Sequence, residues 1–121
     1  MLSKDQLDFA KAEPKKFLQQ YEYLRAQAEA RLGRLEYWQG CEEAENYCKE
    51  LVEKVRELVT LERDISSLID SISIKEQYKT LLYLRYIECL TISEMAQKLA
   101  YNKRWCDRLQ VKALEAFAAA L

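Results

Sequence analysis

Lys103, Arg104, Asp107, Arg108, Gln110, Val111 and Lys112 fall on the outward positions of one helical stretch near the end of the 121-residue chain. Four of them are cations. A guanidinium or ammonium bridges the two acceptors on the major-groove edge of guanine, or neutralises a phosphate. An amide such as Gln110 both donates and accepts on a base edge. The chemistry on offer is recognition of duplex DNA by Lys103, Arg104, Asp107, Arg108, Gln110 and Lys112. A solvated basic face on an ordinary amphipathic helix fits the same residues when they are taken alone.

Other chemistries lack their parts. The chain has no histidine, no glycine-rich phosphate loop and no nucleophile elbow. Glu42 and Glu43 are adjacent helix residues that point to different sides, as a solvated face does. Cys41 and Cys48 are seven residues apart on one helix, about 10 Å by the helical rise, too far for a disulfide. No cysteine pair has the two-residue spacing of a zinc site. Cys48, Cys89 and Cys106 fall on apolar faces and read as small core residues. No catalytic residue, metal or cofactor is expected, and the chain does not read as an enzyme.

The basic stretch needs elements to position it. Thr91-Ile92-Ser93-Glu94 is a capping box, with the Thr91 hydroxyl on the Glu94 amide and the Glu94 carboxylate on the Thr91 amide. Ile92, Met95, Ala96 and Leu99 then share one face of a short helix. Asn102 caps a second helix, whose inner face carries Trp105, Cys106, Leu109, Ala113 and Leu114. Ala96 lets the two helices approach. This is the pattern of a helix-turn-helix, whose second helix enters the major groove. Upstream, Ser73-Ile74-Lys75-Glu76 reads as another capping box, opening a supporting helix with Tyr78, Leu81, Leu82, Arg85 and Cys89. Arg85 and Tyr86 take structural roles in preference to phosphate contacts, Arg85 pairing with Glu88 or Glu94 and Tyr86 packing inside.

The run Leu84-Arg85-Tyr86-Ile87-Glu88, with Met95-Ala96, Leu99-Ala100-Tyr101-Asn102 and Ala113-Leu114, resembles the fourth region of bacterial sigma factors. It resembles more closely the small phage and prophage proteins built on that module, among them the ArpU-type and RinA-type late-gene regulators. The resemblance spans roughly residues 74 to 117. It implies a helical N-terminal part, a sigma-like helix-turn-helix, regulation of transcription, and RNA polymerase as a further partner. Two positions depart from the family wording. Ala100 stands where glycine is preferred at the turn, and a left-handed alanine there costs about 1 kcal/mol or more. Gln110 stands where relatives often have histidine.

The N-terminal part reads as helices. Ser3 to Lys11 forms a short one, broken at Glu13-Pro14, and Pro14 suits the first turn of the next. Phe17, Tyr21, Leu24, Ala28, Leu35 and Trp38 then follow a seven-residue repeat, with Arg31 in the remaining slot. Gln39-Gly40 ends that helix, Gly40 being free to adopt a left-handed cap. A longer stripe follows: Ala44, Cys48, Leu51, Val55, Leu58, Glu62, Ile65, Ile69 and Ile72, widened by Val59, Leu61 and Leu68. Glu62 either pairs with Arg25 or Arg31 or, as preferred, reaches solvent at the edge. The stripes close an antiparallel hairpin, and the widened face is also open to a homodimer.

The expected architecture is all-α: a helical hairpin over residues 1–72, then a sigma region-4-like helix-turn-helix over 73–121. Two glycines and one proline favour long helices. No apolar run is long enough to span a membrane, and the N-terminus lacks a signal pattern, so a cytoplasmic location in a bacterial host is expected. The formal net charge of −1 conceals a split. Residues 75–121 hold eight Lys and Arg against five Asp and Glu, and the first 74 hold eleven against fifteen. A phage transcription regulator fits best. A small-terminase-like packaging protein is the alternative, distinguished by a ring of subunits, and a pure protein-interaction module is another, distinguished by the absence of salt-sensitive duplex binding.

Overall fold

The structure, a computed structural model, describes residues 2–37 and 43–121. Their regular elements are all helical: α1 (Lys4–Ala12), α2 (Pro14–Tyr37), α3 (Glu43–Ser71), α4 (Glu76–Leu82), a π-helical turn (Tyr83–Ile87), α5 (Ile92–Leu99) and α6 (Lys103–Ala120). The all-α class holds. The sequence assignments to Trp38, Gln39-Gly40, Cys41 and Glu42 lie outside the described residues, as do the side chains of Leu35 and Glu43. Among the described residues no helix is long and apolar enough to cross a membrane.

Local chemistry sets the helix ends. The Ser3 hydroxyl accepts from the Gln6 amide at 3.2 Å and starts α1. Glu13 sits at φ −137°, ψ 71°, outside the helical region that a following proline disfavours. Pro14 opens α2, where its missing N–H leaves no orphan donor. The expected box at Ser73–Glu76 does not form. The cap of α4 is Lys75, extended at ψ 140° and making no side-chain cap bond. The helix therefore begins two residues later than a Ser73 cap requires, and the Lys75 carbonyl accepts from the Tyr78 and Lys79 amides instead.

α2 and α3 lie alongside in opposite directions, since Tyr21 meets Glu62 while Arg34 meets Tyr47. The Tyr21 hydroxyl donates to the Glu62 carboxylate at 3.3 Å. Glu62 is half-buried at the edge of the seam, where it still meets solvent and takes a phenol as its partner instead of Arg25 or Arg31. The long stripe on α3 is buried unevenly. Ile65, Ile69 and Ile72 are in the core, Leu51 and Leu58 are half-buried, and Cys48, Val52, Val55 and Val59 are exposed. Cys48 is therefore not a core residue. The reason is where the later helices return: α4 and the π-helical turn pack on α3, the turn and α6 on α2, and α1 on both α2 and α6.

One apolar cluster results, and it draws on both halves of the chain. Phe17, Ile69, Leu82, Tyr86, Leu109 and Phe117 all belong to it, so residues 1–72 and 73–121 share a core. Phe17 meets Phe9 edge-on at 6.1 Å and stacks on Phe117 at 6.3 Å. Such aromatic pairs are worth about 0.5–1.5 kcal/mol beyond their burial.

Two truncations on α3 test this uneven burial. Ile69→Ala should cost about 2–5 kcal/mol in urea unfolding. Val59→Ala, on the open part of the same stripe, should change the stability of the chain by less than about 0.5 kcal/mol at protein concentrations low enough to keep it monomeric. Equal losses would contradict the arrangement.

Candidate nucleic-acid interface

The approach to α5 is built from strained turns. The Glu88 amide donates to the Tyr83 carbonyl at 2.9 Å, closing the wider π-helical ring. Cys89 then adopts φ 58°, a left-handed backbone uncommon for a non-glycine residue, and lets Leu90 donate back to the Leu84 carbonyl at 3.0 Å. The reversed chain enters α5 through the Thr91 capping box. The Glu94 amide donates to the Thr91 hydroxyl at 3.1 Å, and the Thr91 amide donates to the Glu94 carboxylate at 3.2 Å. Met95 and Ala96 are the buried side of α5.

Ala100 ends α5 in the left-handed conformation, φ 57° and ψ 35°. Its strain is partly offset by the Tyr101 amide, which donates to the Ala96 carbonyl at 2.9 Å. Asn102 then caps α6, its side-chain oxygen accepting from the Trp105 amide at 2.7 Å. Three residues thus connect α5 to α6, and the two helices pack against each other.

α6 divides into two faces. Cys106, Leu109, Ala113 and Phe117 are buried, Leu114 is half-buried, and Lys103, Arg104, Asp107, Arg108, Val111 and Lys112 are exposed. Among the described residues, none of the four cations on that face has an acidic partner within 4.0 Å. Among the described residues, seven of the fifteen other Lys and Arg have such a partner, as in Lys98–Glu88 at 3.3 Å and Arg56–Glu53 at 3.2 Å. Four cations against Asp107 leave this face a formal charge of +3.

Two residues on α6 stand elsewhere than expected. Trp105 is 40% exposed, at the edge of the inner face, although it precedes the buried Leu109 by four residues. Gln110 is not on the free face. It is half-buried, and its side-chain amide donates to the Tyr86 hydroxyl at 2.9 Å. Gln110 follows Cys106 by four residues and precedes Ala113 by three, so helical spacing already put it on the inward edge. The role it has here is to tie α6 to the π-helical turn.

Tyr86 is fully buried, as expected. Burial pushes its phenol above the ordinary value, against the hydrogen bond from Gln110 and the nearby Arg85 charge. The hydroxyl stays neutral and can accept from the amide. Arg85 does not pair with Glu88 or Glu94. It meets Glu22 on α2 at 3.7 Å, with its guanidinium carbon 5.5 Å from the Tyr86 ring centre. Glu88 is engaged by Lys98 and Glu94 by the capping box. The Cys89 thiol is pushed up by burial, with Arg25 opposing the shift. Burial likewise raises the Cys106 thiol, and neighbouring Asp107 adds to it.

No protein-family model, curated protein or solved structure matches the chain.

The turn at Ala100 offers a direct test of local geometry. Ala100→Gly should stabilise the protein by roughly 0.5–1 kcal/mol in urea unfolding, the left-handed penalty of alanine less the greater chain entropy of unfolded glycine. A destabilised variant would mean that the turn is not left-handed.

Proposed function

We propose that the chain is a DNA-binding regulator of transcription, of the phage or prophage type that its C-terminal third resembles. In this reading α5 and α6 are the two helices of a sigma region-4-like helix-turn-helix, and α2 and α3 form the hairpin that carries it. The observation that carries the reading is the cationic face of α6: Lys103, Arg104, Arg108 and Lys112, exposed together and without acidic partners among the described residues. Its support is the capped three-residue turn that sets α6 against α5. Arg104 and Arg108 lie four residues apart near the start of α6, the part of a recognition helix that reaches base edges. Lys103 and Lys112 flank them and serve the phosphates. Asp107 shares the exposed face, and Gln110 acts by holding the helix in place.

Four cations give one copy modest affinity, because each neutralised phosphate contributes about 0.9 to the slope of log K against log salt. A second copy doubles that charge. The open stripe of Val52, Val55 and Val59 on α3 is the surface proposed to pair two copies. Sedimentation of the full chain should then give a dimer, and Val55→Asp a monomer with a shallower salt slope. A monomeric wild type would remove the dimer and leave the DNA reading standing.

The recognition helix is tested by replacing Arg104 and Arg108 together with Ala. The variant should keep its helical circular dichroism and bind duplex at least about tenfold more weakly, since each lost contact is worth roughly 1 kcal/mol or more. Unchanged affinity in the folded variant would overturn the assignment of α6 to the groove.

A further inference from the structure

We infer that Val111 is a specificity-determining residue, reading the C5 methyl group of a thymine in the major groove; this rests on the proposal that α6 enters duplex DNA. Val111 is 56% exposed and takes no part in the apolar cluster. The fold gains little from it. A β-branched residue on a solvated helix face slightly lowers helix propensity, and this one adds nothing to the apolar cluster.

Its position is what gives it a use. Val111 follows Arg108 by three residues, Asp107 by four and Arg104 by seven, so all four share one line along the exposed side of α6. The buried side chains Cys106, Leu109 and Ala113 lie on the opposite side. When the two guanidiniums engage guanine edges or phosphates, the isopropyl group of Val111 is carried against the floor of the same groove. The thymine methyl is the only apolar group that base pairs present there, and aliphatic contact is how it is read. A valine between charged residues thus supplies what the cations lack, discrimination of thymine from cytosine.

Deoxyuridine isolates this contact, since it pairs as thymidine does and lacks only the methyl. The probe is a duplex selected by the full-length protein from random-sequence DNA, with each thymidine replaced in turn by deoxyuridine. Wild type should lose about fourfold in affinity at one replacement, the value of one buried methyl-sized group. Val111→Ala, which keeps a strong helix former at an exposed site, should bind the parent duplex about that much more weakly and be indifferent to the same replacement. Wild type indifferent to every replacement, or V111A with the full methyl dependence, would overturn the inference while the DNA reading stands. If no duplex is selected and random duplex shows no salt-dependent binding, the DNA reading falls and the inference with it.

Discussion

The burial of one face of α6 is the constraint on which the rest of the molecule depends. Cys106, Leu109, Ala113 and Phe117 reach the common core, and the Phe117 ring stacks on Phe17 at the start of α2. A helix fixed along one side presents its other side in a fixed direction. The cations at Lys103, Arg104, Arg108 and Lys112 therefore owe their common orientation to apolar contacts they do not make. The same contacts join the two ends of the chain, because α6 packs on α1 and α2 as well as on α4, its main neighbour.

Polar devices then refine what burial fixes coarsely. The hydrogen bond from Gln110 to the wholly buried Tyr86 links α6 to the π-helical turn, and Arg85 links that turn to Glu22 on α2. The two left-handed residues, Cys89 and Ala100, stand at either end of α5. Each costs about 1–2 kcal/mol of backbone strain for a residue with a β-carbon. That strain sits where the chain must reverse sharply to bring α5 across α6. Stability is spent on the placement of the exposed helix, not on the open half of α3.

Much of this was legible in the residues. The Thr91 capping box, the Asn102 cap and the Pro14 helix start follow from short-range hydrogen bonding and backbone sterics, which the local sequence carries whole; the left-handed Ala100 runs against those sterics and was not legible in them. The all-α class follows from the scarcity of glycine and proline. What else was not legible depends on distant parts of the chain. The Ser73 box fails because the path from α3 to α4 leaves Lys75 as the cap. Arg85 turns to Glu22, which no spacing rule brings near it. The apolar stripe on α3 is continuous in sequence, yet only its last third is buried, since the later helices return to that end alone. Gln110 and Trp105 are a different case. The inward placement of Gln110 follows from helical spacing, where residue type pointed the other way; Trp105 stands partly outward although spacing from Leu109 and residue type both place it inward.

We propose that the free face of α6 meets duplex DNA. It is tested most directly by adding duplex DNA to the isotope-labelled full-length protein and following the backbone amide resonances. The account expects shifts concentrated between Tyr101 and Lys112, extending to the side of α5 next to them, with the amides around Val52 to Val59 unmoved by the DNA contact itself. Shifts confined to α3, or none at all at high duplex concentration and low salt, would contradict it.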